Sequence, residues 1–180
     1  MSALKHFGIP SILVVILLGA FLLRVVGISY GLPYRLVGDE ETFVGGALKM
    51  LELKQFVPAF AGPAFAPFYL PPLIYYVELV LFLPVLGLQY LFSGVQSLVE
   101  FQQQIALDPT VVWLAARFLS VVLGTVAVGV LYFIGRDLFN RRAGLIAAAL
   151  LATSFFAVSL SHFARHWPPS LLVLLLGLWM

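Results

Sequence analysis

Gly38-Asp39-Glu40-Glu41 follows the first long apolar run of the sequence, and the rest of the chain is organised around it. Three consecutive acids stand out because only eight residues are acidic and 62% of the chain is hydrophobic. They lie where a membrane-spanning helix would emerge into water. Taken alone, Asp39 fits the N-cap of a surface helix, with Glu40 and Glu41 at its positive end. The other interpretation is the mouth of an active site at the membrane surface, and the remaining sequence favours it.

The composition is that of an integral membrane protein. Mean hydropathy is +1.07 and only 10% of residues are charged, whereas about a quarter are charged in soluble domains. The formal net charge of +2 gives no reason to expect a nucleic-acid partner. The absence of cysteine excludes disulfides and thiolate metal sites.

Four apolar runs predict one all-α, polytopic membrane domain over residues 1–180. We expect spans at about 9–28, 111–134 and 143–161 and a partial span at 170–180. The first run resembles a signal peptide, but it is about 30 Å long at ~1.5 Å per residue, so we interpret it as a retained anchor. Arg24, near its end, fits an interface anchor that snorkels. The short last run predicts that the sequence is part of a longer chain.

Residues 29–110 form the predicted first outer loop, with in-plane or re-entrant helices at about 40–54 and 73–92. The second of these is apolar enough to span, but Glu78 and Pro84 are costly in lipid unless they face protein. Lys5 and the arginine-rich segment 135–142 favour the cytoplasmic side. The loop would then begin and end outside, so we predict an outer helix pair that is broken at Pro84.

Charged residues of three segments would share the outer face. Arg117, Arg165 and His166 suit a lipid phosphate, and a carboxylate of the acidic stretch could act as general base. The alternatives are an interfacial anchor for Arg117 and helix caps for His162 and His166. A metal site built from Asp39 and the two histidines has weak support from their spacing, so no cofactor or metal is predicted.

The ordered set of motifs resembles the GT-C membrane glycosyltransferases, in the protein mannosyltransferase and aminoarabinose transferase branch. It covers nearly the whole chain. The matching motifs, in order, are Asp39-Glu40, Leu70-Pro71-Pro72-Leu73-Ile74-Tyr75-Tyr76, Ala116-Arg117-Phe118-Leu119-Ser120, Gly124-Thr125, Tyr132, Gly135-Arg136-Asp137-Leu138-Phe139, Arg141-Arg142-Ala143-Gly144-Leu145 and the alanine-rich run 147–154.

This resemblance implies an inverting sugar transfer from a polyprenyl-phosphate-linked donor, on the outer face of a plasma or inner membrane with a cytoplasmic N-terminus. The acceptor would be a lipid, a glycan or a protein. Asp39 would be the catalytic base, and Glu40 would orient the site or bind the acceptor. The remaining predicted site residues are Arg117, Arg165 and His166 for the donor phosphate and Pro71, Pro72, Tyr75 and His162 for the substrate groove.

Two positions depart from the family pattern. Leu70 stands where a basic residue usually precedes the proline pair, and His166-Trp167-Pro168 stands where an aspartate often begins the next span. Two other function classes remain open. In a transporter or flippase, Glu78 and Arg117 would line a path and Pro84 would break a helix at the substrate site. In a non-catalytic scaffold, clustered outer charges would be unnecessary.

Overall fold

The structure, a computed structural model, describes residues 9–34, 36, 38–57 and 73–180, and the regular secondary structure in this part is entirely α-helical. The prediction of an all-α membrane protein is confirmed. Pro71 and Pro72 lie outside the described residues. The helices are α1 (Ile9–Val25), α2 (Gly38–Leu53), α3 (Leu73–Phe92), α4 (Leu98–Leu107), α5 (Thr110–Leu138), α6 (Arg141–Thr153), α7 (Phe155–Ser161) and α8 (Trp167–Trp179).

Two helices, α3 and α5, are long and apolar enough to cross a membrane, and α6 with α7 makes a third candidate if the bent pair is one span. The shorter α1 and α8 are also apolar. Large aliphatic side chains are exposed along α1, including Val15 at 61% and Leu22 at 60%. Such surfaces would associate in water and are suited to lipid contact.

Helix α3 continues through Pro84, so the predicted break at this residue is wrong. Proline has no N–H and therefore removes one helical hydrogen bond, to the carbonyl four residues earlier. Before Pro84 the helix buries one stripe, in which Tyr75, Leu79 and Phe82 are all at most 5% exposed. Glu78 lies in the same stripe, so it faces protein, as its cost in lipid requires. The in-plane placement of α2 and α3 stays a prediction.

The segment predicted as an arginine-rich inner loop is shorter than expected, because α5 includes Gly135 to Leu138. Arg136 in the last turn interacts favourably with the negative end of the helix. Asn140 then caps α6, and its side chain accepts a hydrogen bond from the backbone N–H of Ala143 at 2.9 Å. The turn between the two helices is therefore only Phe139 and Asn140.

The span predicted at 143–161 is two helices, α6 and α7, which meet at Ser154 with a 57° bend. Ser154 ends α6, and its side chain accepts from the backbone N–H of Ala157 at 3.5 Å. A serine that bonds the following backbone competes with continuous helix, which explains the bend. Alanine composition alone did not indicate it.

The other helix boundaries lie close to those expected. Helix α1 ends at Val25, and Gly27 follows with a positive φ of 87°, a conformation that favours glycine. A short helix, α4, begins after Ser97, in a part of the predicted outer loop where no helix was expected. Helix α8 begins at Trp167 rather than near Ser170, because Pro168 and Pro169 are tolerated in a first helical turn.

The chain divides into two compact units, which are described separately. The first unit contains Met1–Ile28 and Phe118–Met180, and the second contains Ser29–Arg117. In the first unit, α1 packs against α6 and α7. Its core is built from small and aliphatic residues with one tyrosine: Ala20, Val128, Tyr132, Ala148 and Ala152. In the second unit, α2 packs against α3.

Two glycines allow α5 and α6 to approach closely in the first unit. A Cβ built on Gly144 would lie 2.5 Å from the carbonyl oxygen of Tyr132, and one built on Gly135 would lie 2.8 Å from the Cα of Gly144. Both obstacles are backbone atoms, which cannot rotate away. Glycine at these positions therefore sets the distance between the two helices.

Candidate active site

The acidic stretch forms the first turn of α2, as the sequence predicted. Asp39, Glu40 and Glu41 all lie in this turn, where the positive end of the helix dipole favours carboxylates. Their environments differ, because a helix turns about 100° per residue. Asp39 and Glu41 are exposed, whereas Glu40 points inward and is completely buried.

Glu40 forms a buried ion pair with Arg117, 77 positions later in the chain. Arg117 Nε donates to Glu40 Oε1 at 2.8 Å, and Nη2 donates to Oε2 at 2.6 Å. Nη1 of the same guanidinium donates to the carbonyl oxygen of Tyr30 at 2.8 Å. Both side chains have 0% exposure. This two-point geometry fixes the orientation of both groups, which a single contact would not do.

Beyond its first turn, α2 is held in place by close packing against α3. Gly46 lies directly against the ring of Tyr75, and a Cβ at Gly46 would come within 2.8 Å of that ring. Tyr75 is 0% exposed. The structure thus places Tyr75, predicted to line the substrate groove, in the packing between these helices. Its groove role remains a prediction.

Glu78 brings a second buried carboxyl to this unit. It is 2% exposed, its Oε2 has no hydrogen-bond partner among the described residues, and it is near enough to Glu40 for their charges to interact. The second unit therefore contains two buried carboxyls, Glu40 and Glu78, and the buried guanidinium of Arg117. Because the short bonds go to Glu40, that residue is the partner that neutralises Arg117.

Asp39, like Glu41, is exposed to solvent. Arg117 holds both carboxylate oxygens of the neighbouring residue Glu40. Gly38, the first residue of α2, directly precedes Asp39. Exposure is one requirement of a general base, and the catalytic role of Asp39 remains a prediction.

The histidine and arginine loop belongs to the first unit. His162 follows α7, and its Nε2 lies 3.2 Å from the carbonyl oxygen of Leu23. His166 directly precedes α8 without a side-chain capping bond, and its ring lies 4.5 Å from that of Trp167. Arg165 and His166 are both half-buried. Their predicted contact with a donor phosphate remains a prediction.

Arg24 is the residue that sequence reasoning misinterpreted. It was expected to snorkel to the interface, but it is 1% exposed and donates to backbone carbonyls inside the first unit. Those carbonyls are available because α6 ends at the Ser154 bend, which the sequence did not reveal. A lone arginine within an apolar run was the only signal, and it fits both interpretations.

Within the described ranges, no group of three or more histidine, cysteine, aspartate or glutamate side chains is placed to hold a metal ion. Asp39 belongs to the second unit and the two histidines belong to the first.

Comparison with known proteins bears on the C-terminal part of the chain. Residues 110–180 match the family described as dolichyl-phosphate-mannose-protein mannosyltransferase. No curated protein and no solved structure matches the chain. The matched segment begins at the first residue of α5 and includes Arg117, Arg165 and His166. Over residues 110–180, the chain is similar to this mannosyltransferase family, and the match agrees with the resemblance of its motifs to the GT-C membrane glycosyltransferases.

Proposed function

We propose that the protein transfers a sugar, mannose or a close relative, from a polyprenyl-phosphate-linked donor to a hydroxyl-bearing lipid, glycan or protein. The match of residues 110–180 to a mannosyltransferase family supports the transferase class and the lipid-linked donor. The observation that carries the assignment of a site is the buried ion pair of Glu40 and Arg117 beside exposed Asp39.

Asp39 is the proposed catalytic base. Its carboxylate accepts the proton of the acceptor hydroxyl while that oxygen attacks the anomeric carbon of the sugar. The bond between the anomeric carbon and the phosphate oxygen breaks, and its electron pair leaves with the polyprenyl phosphate. Attack from the side opposite the leaving group inverts the anomeric configuration. The proton then passes from Asp39 to water, and the base is regenerated.

Glu40 and Arg117 are proposed positioning residues. The sequence suggested that Arg117 binds the donor phosphate, but three of its hydrogen bonds are directed to Glu40 and Tyr30. A guanidinium already neutralised by a carboxylate has less charge to offer a phosphate. We therefore assign Arg117 to fixing the first turn of α2. Arg165 and His166 retain the proposed donor-phosphate role, because cationic donors suit a phosphate leaving group.

The proposed location is a plasma or inner membrane, with the acidic stretch on the outer face. The candidate spans α3 and α5 support a membrane location. The arginines near the turn between α5 and α6, which are Arg136, Arg141 and Arg142, favour the cytoplasmic side for this turn. A polyprenyl-phosphate donor suits this location, because its hydrocarbon chain stays in the bilayer while its sugar lies at the surface.

The test compares two donors that carry the same radiolabelled mannose. Membranes containing the full chain receive either polyprenyl-phosphate mannose or a nucleotide-linked mannose. We expect label to reach acceptor from the lipid-linked donor alone, together with release of polyprenyl phosphate. Transfer from the nucleotide donor alone contradicts the proposal. Movement of intact lipid-linked sugar across the membrane, without cleavage, would instead favour the transporter.

A further inference from the structure

The first unit contains a cavity of about 270 Å³ beside Arg24, at the bend between α6 and α7. Its wall is largely apolar and includes Leu160, Leu171 and Phe156. An apolar cavity of ~150 Å³ already admits a benzene-sized molecule. Phe156 is 71% exposed and Trp167 is 48% exposed, so the cavity reaches the surface of the unit. A hydrocarbon chain can enter from there.

Arg24 is a buried cation without a carboxylate partner in this unit. Its Nη1 donates to the carbonyl oxygens of Ala20 at 3.0 Å and Ala152 at 3.1 Å, and its Nη2 donates to that of Leu151 at 3.2 Å. The only acid in the sequence of the unit is Asp137, which is bonded to Arg136 and Trp179. Carbonyl dipoles at a helix end compensate only about half an elementary charge.

The remaining donor of Arg24 lies at the cavity. Arg24 is part of the cavity wall, and its Nε is buried without a hydrogen-bond partner among the described residues. Gly124 and Ser161 border the same position, because a Cβ on Gly124 would lie 3.3 Å from Arg24 Nε and 2.6 Å from Ser161 Oγ. Glycine therefore lets the guanidinium and the Ser161 hydroxyl, which donates to the carbonyl oxygen of Ala157 at 2.8 Å, pack closely against α5.

We infer that this cavity binds an anionic lipid, with one hydrocarbon chain against Leu160 and Leu171 and its phosphate at Arg24 Nε. The buried guanidinium selects a negative group, because an uncompensated charge in a low-dielectric interior strongly favours an ion of opposite sign. The apolar wall selects a lipid over free phosphate. None of the residues proposed for catalysis at the acidic stretch lines this cavity, so the inference does not depend on the proposed function.

Photolabelling with two lipids tests the inference. The full chain is reconstituted in phosphatidylcholine nanodiscs with a trace of phosphatidic acid or diacylglycerol, each carrying a diazirine on the same acyl carbon. We expect phosphatidic acid to label residues 156–171 roughly tenfold more than diacylglycerol does, because diacylglycerol has no phosphate to pair with the buried guanidinium. Equal labelling by the two probes would overturn the inference.

Substitutions separate the cavity from the general lipid surface. Ala157→Phe fills the cavity, because Ala157 lines it, and should abolish the preference for phosphatidic acid. Leu150→Phe is the control, since Leu150 is 67% exposed on α6 and is not part of the wall. It should leave the preference unchanged. If the Ala157→Phe protein still prefers phosphatidic acid, the hydrocarbon chain of the lipid does not bind in this cavity.

Arg24→Gln should remove the preference, and Arg24→Lys should retain most of it because the charge is kept. If Arg24→Gln does not fold, the result rests on Arg24→Lys and Ala157→Phe. In a final experiment, the photolabelling is repeated with millimolar inorganic phosphate as a competitor. Labelling that resists phosphate supports a lipid, whereas loss of the preference would show that Arg24 serves a free anion and would overturn the lipid assignment.

Discussion

Glu40 and Arg117 form a completely buried, two-point ion pair that joins the first turn of α2 to α5. The pair has a structural consequence for its exposed neighbour. Because both carboxylate oxygens of Glu40 are held, the backbone that carries Asp39 has a defined position. A buried ion pair adds little net stability on its own, since desolvation opposes the attraction. Its contribution here is the fixed geometry of the helix start.

Removing one partner of the Glu40–Arg117 pair should lower the free energy of unfolding, although the intact pair adds little to it. We predict that Glu40→Gln lowers the free energy of unfolding by about 3–5 kcal/mol, because Arg117 is left as an uncompensated buried charge. In a double-mutant cycle, replacing both residues by methionine should cost less free energy of unfolding than the sum of Glu40→Met and Arg117→Met. Denaturant unfolding in detergent measures this free energy for wild type, the two single variants and the double variant. Glu41→Gln is the control, since Glu41 is exposed in the same turn, and additive costs in the cycle would contradict the coupling.

Gly46 and Gly45 provide a matched pair on α2. A methyl group at Gly46 would meet the buried Tyr75 ring at 2.8 Å, whereas at Gly45 the nearest atom is Glu41 Cγ at 3.7 Å. We predict that Gly46→Ala destabilises the protein by about 1–3 kcal/mol through overpacking. Gly45→Ala should stabilise it by up to about 1 kcal/mol, because alanine favours helix. Thermal unfolding distinguishes them, and equal midpoints would contradict the close contact.

The crossing of α5 and α6 offers a second comparison. Alanine at Gly144 would lie 2.5 Å from the Tyr132 carbonyl oxygen, whereas alanine at Gly129 would have its nearest contact at 3.7 Å, with Leu17 Cδ2. Because backbone atoms must move in the first case, we predict that Gly144→Ala lowers the unfolding midpoint and Gly129→Ala does not. Both variants are made in the full chain. A Gly144→Ala protein as stable as wild type would show that the helices lie further apart.

Asp108 should make the start of α5 sensitive to acid. Hydrogen bonds from the Thr110 side chain and backbone N–H hold the pKa of its carboxyl below the usual value. A depressed pKa means that the ionised form stabilises the fold above the unfolded pKa, and that this stability is lost as pH falls through the folded pKa. The unfolding midpoint of wild type should exceed that of Asp108→Asn at neutral pH. The difference should vanish in acid, and a difference independent of pH would refute this assignment.

Local sequence pattern was sufficient for most helix positions. The apolar spacing after Asp39 predicted a helix at 40–54, and α2 covers Gly38–Leu53. The long run after Thr110 predicted α5 almost to its end. These elements follow from the periodicity and length of the apolar residues, which local sequence contains.

Tertiary contacts could not be predicted from the local sequence pattern. Arg117 was recognised as a site candidate, but nothing local identified Glu40 as its partner, because the two residues meet only after α2 and α5 have packed. Arg24 was misinterpreted for the same reason, since its carbonyl partners come from the end of α6.

The most direct measurement is sugar transfer from radiolabelled polyprenyl-phosphate mannose by wild type, Asp39→Asn and Glu41→Gln in membranes. Asparagine keeps the shape of aspartate and removes the base, so we predict a rate loss of about 10²–10⁴-fold for Asp39→Asn, the usual contribution of general-base catalysis. Glu41→Gln, in the same helical turn, should retain most activity. Unfolding midpoints equal to wild type would establish that both variants are folded. Equal transfer rates for wild type and Asp39→Asn would contradict the account and leave Asp39 as a residue of the helix start alone.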